Sequence, residues 1–248
     1  MDPIYDWFRE LYLEHGINLT IIYDDFDRRR MLRGFWMTIQ LSVICLVLSV
    51  VIGIVGAWLQ GSRFTVTRRM VQAYIQFFRN TPPLVQLYFF FFAVGGLLPR
   101  VRNEFGFMEP MIDNVAWGII ALSFFAGAFN VEIFRSGIEA VPKSTVEAAE
   151  ALGYSRWQAY LHVVLPLAFR ICLPALNNNL VNLVKTTTLA YAIAVPEMLY
   201  MANQIWSDAV NVPEMMTFLL LAYVALVSVL VWLMHRWERA LRLPGLGR

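Results

Sequence analysis

The sequence predicts an all-α integral membrane protein with about five transmembrane helices. Of its 248 residues, 58% are hydrophobic and only 15% are charged, whereas a soluble domain carries about 25% charged residues. Five apolar segments approach the length of about 20 residues that a helix needs to cross the hydrocarbon core. These segments cover roughly 35–59, 75–98, 115–133, 171–195 and 215–234.

Residues 1–33 form an N-terminal segment ahead of the first apolar stretch. Asp2 and Asp6 replace the basic start of a secretory signal, so we expect the mature helices to direct insertion. Apolar residues recur in this segment at helical spacing, namely Ile4, Trp7, Phe8, Leu11 and Tyr12. They predict a short amphipathic helix, which either lies at the membrane interface or packs on a partner subunit.

The second and fourth apolar segments contain polar residues at membrane depth. Arg79, Asn80 and two prolines interrupt the entry to the second, and Asn177 to Asn179 with Lys185 lie inside the fourth. Such groups are costly in lipid unless they face protein or water. We therefore expect these two helices to line a polar route.

The loop charges predict the orientation, because Lys and Arg are retained on the cytoplasmic side. Arginines dominate 61–81 and the tail after residue 234, whereas acids outnumber bases in 99–114 and 196–214. The first pair is predicted to be cytoplasmic and the second external, which places the 134–170 loop inside and the amino terminus outside. The cluster Arg28, Arg29, Arg30 and Arg33 opposes this assignment, although Asp24, Asp25 and Asp27 offset it locally.

The long loop contains two successive helix-start patterns. Ser144–Glu147 and Ser155–Gln158 each fit a capping box, in which the serine and the Glu or Gln three residues later satisfy two backbone N–H groups. Gly153 is suited to a left-handed helix end, and Pro166 is expected to stop the second helix. Three alanines, Ala148, Ala149 and Ala151, leave room for a close partner surface. The pattern alone also fits an ordinary loop hairpin.

The amino-acid sequence of this loop resembles the EAA loop of ABC-importer permeases. The resemblance rests on Glu147-Ala148-Ala149 followed by Gly153 and Pro166. In that family the loop forms the coupling helix, which docks into a groove on the ATP-binding subunit. The resemblance therefore implies an ATPase-coupling role for Glu147, Ala148, Ala149, Gly153 and Pro166.

Three further motifs extend the resemblance to about residues 34–235. Phe78–Pro82 with Val85–Leu87 looks like "FRxTP…VQL", Val131–Ile138 looks like "AEIFRGGI", and Val164–Pro174 looks like "VLPQALRxxLP". These motifs are typical of the polar amino-acid or opine branch, which includes histidine, glutamine and arginine uptake. Many members read Lys-Asp-Thr-Ser-Leu where this chain reads Lys185-Thr-Thr-Thr-Leu189. Because the acid is missing, a cationic solute cannot be inferred from this chain.

The resemblance implies a multi-pass subunit of a bacterial inner (plasma) membrane. Residues 34–236 would form the permease domain, with the coupling loop at about 137–168 and a cytoplasmic tail at 237–248. The implied partners are ATP-binding cassette subunits, a second or homologous permease and an extracytoplasmic solute-binding protein. ATP and Mg would be held by the partner ATPase. A net charge of +2 gives no nucleic-acid footprint.

The sequence shows no catalytic or metal-binding pattern. Neither Lys143 nor Lys185 follows a glycine, so there is no P-loop, and no hydrolase elbow occurs. The three histidines are far apart in sequence, and Cys45 and Cys172 stand in apolar runs that favour buried thiols. This predicts a transport subunit rather than an enzyme, with ATP hydrolysis on a separate chain.

Two other classes of function remain as alternatives. A secondary transporter or channel would also place Glu132 and Lys185 in the membrane, but it would not need a docking helix. An intramembrane enzyme would need a catalytic dyad on facing helices.

The candidate residues for a substrate path are the polar groups of the second and fourth segments. They are Asn80, Gln86, Asn178, Asn179, Lys185, Thr187 and Thr188. Lys185 is expected to face the protein interior, because an unpaired ammonium in lipid is costly. A structural role competes at the other positions, since threonines often bond to their own helix and asparagines join neighbouring helices.

Overall fold

The computed structural model describes residues 3–102 and 104–241, and the described chain is almost entirely helical. The helices are α1 (Pro3–His15), α2 (Thr20–Tyr23), α3 (Asp25–Gln60), α4 (Thr65–Asn80), α5 (Pro83–Leu97), α6 (Asn114–Glu139), α7 (Lys143–Ala151), α8 (Arg156–Ile193), α9 (Met198–Ala209) and α10 (Val212–Leu241). Two short strands, β1 (Arg100–Arg102) and β2 (Met108–Pro110), pair antiparallel between α5 and α6.

Four of the described helices are long and apolar enough to cross a membrane, namely α3, α6, α8 and α10. The shorter apolar helix α5 approaches that length. This confirms the all-α membrane fold, with the count of five as an approximation.

The predicted single segment 75–98 is wrong, because two helices share it. α4 ends at Asn80, Thr81 adopts an extended conformation with φ −117° and ψ 146°, and α5 begins at Pro83. A residue before proline is driven out of the helical region, and neither proline has an N–H to donate. The break is therefore a direct result of the Pro82-Pro83 pair.

The first span begins ten residues before the predicted boundary, at Asp25. The Asp24 carboxylate accepts hydrogen bonds from the backbone N–H groups of Phe26, at 2.7 Å, and Asp27, at 3.1 Å. Asp25 and Asp27 then place negative charge in the first turn, where the helix dipole favours it. The arginine cluster consequently lies inside α3.

Acids neutralise part of that arginine cluster, as the sequence suggested. Arg28 pairs with Asp25, and Arg30 pairs with Asp27 at 3.4 Å and with Asp208 at 2.8 Å. Acids contribute little to topology, so these ion pairs do not remove the conflict between the arginine cluster and the predicted orientation. The orientation of the chain stays a prediction.

The chain divides into two compact units, each assembled from three stretches of sequence. The first comprises the residues up to Ile44, Leu84–Ala121 and Val184–Ser228, and the second comprises Cys45–Pro83, Leu122–Leu183 and the described residues from Val229. Each unit has its own apolar core. Met198, Ile205 and Met215 are fully buried in the first.

In the second unit, small residues let helices approach closely. A Cβ built at Gly56 would lie 2.3 Å from Val131, and one built at Gly53 would lie 2.5 Å from Asn130. Side-chain packing of this type holds helices together in lipid, where the solvent supplies no hydrophobic driving force. α3 and α6 are therefore in tight contact within this unit.

Candidate functional site

The predicted loop hairpin is present, but its first helix starts differently from the prediction. α7 begins at Lys143, with Pro142 as the residue before it, and no side chain caps the helix. The expected capping box Ser144–Glu147 is therefore wrong. Pro142 has φ −58°, which already suits a helix start, so the first turn forms two residues earlier than predicted and Ser144 lies inside it.

The end of α7 agrees with the prediction for Gly153. This residue has φ +92°, a left-handed conformation, and a Cβ added there would meet no atom within 4 Å. Gly153 N–H donates to the Glu150 carbonyl at 3.0 Å, and Tyr154 N–H donates to the Ala149 carbonyl at 3.2 Å. These two bonds form a Schellman motif, which closes the helix at a defined angle.

The second capping box is confirmed at the start of α8. The Ser155 hydroxyl accepts from the Gln158 N–H at 3.4 Å, and the Gln158 side-chain oxygen accepts from the Ser155 N–H at 2.9 Å. Only two residues, Tyr154 and Ser155, separate Gly153 from the first residue of α8. The hairpin is therefore fixed at both sides of its turn by local sequence.

Pro166 does not stop the second helix, so that expectation is wrong. α8 runs on to Ile193, and a π-helical turn at Tyr160–Val164 ends two residues before the proline. Proline removes one backbone donor and clashes with the preceding turn of an α-helix, whereas a widened π-turn provides room for its ring. Pro166 therefore marks an irregularity within one long helix.

The residues implied in ATPase coupling divide into exposed and buried members. Glu147, Ala148, Gly153 and Pro166 are exposed, whereas Ala149 is only 5% exposed. α7 packs on its own chain beside an apolar cluster that holds Val141, Val164 and Ala168, with Val146 and Tyr160 at its edge. Part of the alanine face is thus occupied by the chain itself.

An exposed apolar edge on this hairpin was missed from the sequence. Leu152 is 81% exposed and Trp157 is 65% exposed, on either side of the Gly153 turn. Large apolar side chains exposed together often mark a contact surface. Their position next to a helix turn was the available signal in the sequence.

Two of the sequence motifs meet in a charged cluster in the second unit. The Glu132 carboxylate lies 2.9 Å from the Arg135 guanidinium and 3.8 Å from that of Arg79. Arg135 also pairs with Glu139 at 2.7 Å. Ion pairing lowers the cost of charged groups at membrane depth. The arginine and glutamate of these motifs therefore support one another, and Glu132 is paired within the chain.

The candidate path residues of the second unit have unequal surroundings. Asn80 is exposed and donates to the Gln76 side chain at 2.7 Å, one helical turn away. Asn178 is exposed. Asn179 instead donates to the Ala126 carbonyl at 3.1 Å and to the Asn130 side chain at 2.7 Å. Asn179 thus joins α8 to α6, which is the structural role that competes with a role in the substrate path.

Asn130 extends this polar contact and was missed from the sequence. It is fully buried, and its amide donates to the Ser49 hydroxyl at 3.2 Å. The Asn179–Asn130–Ser49 chain therefore connects α8, α6 and α3 within the second unit. Interhelical hydrogen bonds of this kind contribute about 0.6 kcal/mol each on average.

The candidate path residues of the first unit include a buried glutamine and two threonines that form hydrogen bonds within their own helix. Gln86 is buried at 2% exposure. The Thr187 hydroxyl donates to the Val184 carbonyl at 2.7 Å, and the Thr188 hydroxyl donates to the Lys185 carbonyl at 2.9 Å. Both threonines therefore bond to their own helix, which is the structural role that competes with a role in the substrate path.

Lys185 is exposed on the surface of this chain, which differs from the expected position inside it. Among the described residues, its ammonium forms no salt bridge with a carboxylate.

A buried carboxylate at Glu197 was not singled out from the sequence. Glu197 has no exposed surface and caps α9, accepting from the N–H groups of Leu199 and Tyr200 at 2.9 Å each. The Tyr223 hydroxyl donates to the same carboxylate at 3.0 Å. Burial raises the pKa of Glu197 to about 7, although the backbone N–H groups oppose this change. An acid directly before the apolar run 198–202 was the available signal.

Sequence comparison places these features in a known family. The sequence model of the family "Binding-protein-dependent transport system inner membrane component" matches residues 49–243. "Probable glutamine ABC transporter permease protein GlnM" of Bacillus subtilis is 32% identical over 210 residues, covering 85% of this chain and 91% of that protein. "Histidine/lysine/arginine/ornithine transport system permease protein HisQ" of Salmonella typhimurium is 33% identical over 168 residues, covering 68% and 74%.

Structure comparison gives the same result. A solved structure titled "Crystal structure of an amino acid ABC transporter with histidines" matches with a TM-score of 0.75 and 26% identity, covering 86% of this chain and 94% of that one. The inward-facing MetNI methionine ABC transporter matches with a TM-score of 0.68 at 20% identity, which concerns the fold alone. Among the described residues no group of three or more His, Cys, Asp or Glu side chains could hold a metal ion.

The matched segment covers most of the chain and includes the hairpin, the charged cluster and Glu197. ATP hydrolysis in this family belongs to a separate subunit. The chain therefore belongs to the family of binding-protein-dependent transport system inner membrane components, and it is the inner-membrane permease subunit of an ABC importer.

Proposed function

We propose that this subunit forms the translocation path for polar amino acids or related small solutes and couples to ATP-binding subunits through the helix at 144–153. The observation that carries the coupling role is the hairpin closed by Gly153, which leaves Glu147, Ala148 and Leu152 exposed. The amino-acid assignment is supported by the substrates in the names of its relatives.

The proposed assembly contains two permease subunits, either two copies or this chain with a homologue. Two ATP-binding subunits bind at the hairpins and hold ATP and Mg²⁺, and a solute-binding protein delivers solute from outside. Closure of the ATPases biases the permeases between inward-open and outward-open states, which is a population shift driven by ligand.

The packing of the hairpin explains how force on α7 would reach the membrane helices. Val146 of α7 lies against the apolar cluster of Val164 and Ala168, and α8 starts directly after the Gly153 turn. The same helix carries Asn179, which is bonded to Asn130 of α6. Displacement of the hairpin therefore moves α8 against α6 within the second unit.

We propose Asn80, Gln86, Asn178, Asn179, Lys185, Thr187 and Thr188 as the candidate substrate path. The exposed members are the better candidates for direct solute contact, because Asn179 and the threonines already bond within the chain. An amino-acid carboxylate needs a cationic or donor partner in lipid. The exposed Lys185 ammonium can supply it.

The coupling role predicts that Gly153→Arg uncouples transport. A β-carbon in the left-handed region costs about 1 kcal/mol, and the guanidinium would project from the docking edge. We expect near-normal membrane levels, loss of uptake and loss of solute-stimulated ATP hydrolysis, measured on the subunit purified with its ATPase. Gly106→Arg is a matched control, because Gly106 also has a positive φ of 83° and open surroundings.

The control variant should still purify with its ATPase and keep hydrolysis by the assembled complex, since Gly106 lies in the β1–β2 turn of a segment predicted to be external. Full uptake and normal stimulation by Gly153→Arg would remove the coupling role from the hairpin. A permease that never purifies with an ATPase would instead favour a secondary transporter or channel.

The path role predicts that Lys185→Met lowers uptake while the complex still assembles. Methionine keeps the length and apolar stem of lysine but removes its charge. The measurement is solute uptake in proteoliposomes, with ATP hydrolysis in the absence of solute as a check on assembly. Uptake at the normal rate would exclude Lys185 from the path.

A further inference from the structure

The N-terminal helix α1 has an apolar face that the rest of the chain leaves uncovered. No residue of α1 is buried, and Ile4 and Trp7 are 58% and 56% exposed. Their side chains share one helix face with Phe8, Leu11 and Tyr12, which are spaced three and four residues apart. This helix precedes the matched family segment, and the proposed function does not use it.

The opposite face of α1 is polar and acidic. Asp6, Arg9 and Glu10 lie there, whereas Glu14, seven residues after Trp7, lies at the edge of the apolar face. The first turns therefore separate apolar and charged residues, whereas in the last turn Glu14 and His15 border the apolar face and Leu13, at 75% exposure, lies outside it. A helix that is amphipathic but not buried by its own chain needs a second surface.

The connection after α1 is tied to the start of α10. The Asn18 N–H donates to the Glu214 carboxylate at 2.9 Å, and the Asn211 amide donates to the Asn18 carbonyl at 2.8 Å. The Asn18 amide also donates to the Ala209 carbonyl at 3.2 Å. Asn18 and Asn211 are both buried, so this junction is well packed.

A second tie joins α1 itself to the start of α3. The Arg28 guanidinium donates to the Tyr5 hydroxyl at 2.7 Å and lies 5.5 Å from the centre of the Tyr5 ring. Arg28 is in the first turn of α3, and Glu214 is in the first turn of α10. Glu214 directly precedes the apolar segment 215–234 of α10, so this turn lies at the membrane boundary, whereas Arg28 lies about 10 Å outside the apolar segment of α3 that begins near residue 35.

We propose that α1 lies in the membrane–water interface at this boundary, with Ile4, Trp7, Phe8, Leu11 and Tyr12 inserted among the lipids. Two features favour lipid as the occupant of this face. The Asn18–Glu214 bond holds the end of α1 at the level where α10 enters the bilayer, and tryptophan and tyrosine are enriched at that depth.

The charge of α1 defines the lipid chemistry. Helices that depend on anionic lipids carry Lys and Arg on the polar face, whereas α1 carries three acids and one arginine. Insertion of the apolar face must therefore supply the binding, and zwitterionic phospholipid is sufficient. The interfacial helix would hold the first turns of α3 and α10 at a fixed depth.

Site-directed spin labelling of the assembled complex in nanodiscs tests this proposal. Cys45 and Cys172 are free and would first be replaced by alanine, and the background must retain uptake. Labels would then be placed by Trp7→Cys and Leu11→Cys on the apolar face, and by Asp6→Cys and Glu10→Cys on the polar face. Accessibility to oxygen, which partitions into lipid, is compared with accessibility to a water-soluble nickel chelate.

We expect the apolar-face labels to be several-fold more accessible to oxygen than to the chelate, and the polar-face labels to show the reverse. The pattern should be the same in phosphatidylcholine alone and in mixtures with phosphatidylglycerol. Equal chelate access at all four sites would place α1 in water and overturn the proposal. Shielding of the apolar-face labels from both reagents would overturn it in favour of a protein partner.

A label-free measurement guards against perturbation by the labels. Brominated phosphatidylcholine should quench part of the tryptophan fluorescence of the complex, and this part should be smaller in Trp7→Phe. Identical quenching of the two proteins would contradict insertion of Trp7.

Discussion

Two helices of this permease begin at side-chain caps with opposite surroundings. Ser155 caps α8 from an exposed position in the loop hairpin, whereas Glu197 caps α9 from a position with no exposed surface. The first cap is short and neutral and stands beside the surface proposed to meet the ATPase. The second is ionisable and is bonded to a residue of another helix. The comparison suggests that an exposed cap shapes a docking element, whereas a buried cap holds a core together.

The largest effect should follow from breaking the buried cap with Glu197→Ala. The substitution leaves two backbone N–H groups and the Tyr223 hydroxyl without their acceptor. Each unsatisfied buried donor costs about 1–3 kcal/mol, so we expect several kcal/mol of destabilisation in total. The measurement is the thermal unfolding midpoint of the complex in detergent, together with its level in membranes.

Glu197→Gln is the control for that experiment, because the amide keeps the size of the side chain and one acceptor oxygen. It should recover a clear part of the lost stability. An unchanged unfolding midpoint in Glu197→Ala would show that the cap is dispensable.

The ionisation of the buried cap should make stability depend on pH. Burial raises the pKa of Glu197 from its ordinary value of 4.5 to about 7, so the folded state binds the proton more tightly than the unfolded chain. Its contribution to stability is fully present below about pH 4.5 and is lost as the pH rises through about 7. The change is of the order of 3 kcal/mol for a shift of this size.

The pH effect is measured as the unfolding midpoint of the complex between pH 5 and 8. Glu197→Gln cannot titrate at this position and should give a flatter profile over the same range. If the two profiles have the same slope, another group is responsible for the pH dependence.

The two caps also differ in how much of them could be predicted from sequence. The Ser155–Gln158 box and the Gly153 turn depend on residues within a few positions of one another, so their chemistry is readable locally. Glu197 depends on Tyr223, which belongs to another helix, and the sequence gives no contact across that separation. The Arg79–Glu132 pair is hidden for the same reason, although both residues belong to motifs that were identified.

Local patterns also led to errors where two of them competed. Pro82-Pro83 was visible as an interruption, but the apolar run on its far side made 75–98 look like one helix. At α7, Ser144 fits a capping box, yet Pro142 starts the helix first. Pro166 fits a helix end, but the π-turn before it lets α8 continue. The span count was approximate because helix ends of this kind depend on packing.

The smallest effect on stability should follow from Ser155→Ala in the exposed cap. The same substitution should impair coupling to the ATPase more than it impairs stability. Loss of an N-cap hydroxyl costs about 1 kcal/mol, and the exposed backbone groups can bond to water instead. The unfolding midpoint should therefore change by only a few degrees. Solute-stimulated ATP hydrolysis should fall more strongly, because a frayed first turn of α8 loosens the Gly153 hairpin on the side where the ATPase is proposed to dock. Ser155→Asp should restore stimulation, since aspartate caps as well as serine. Equal impairment of the alanine and aspartate variants would show that the hydroxyl acts in some way other than as a cap.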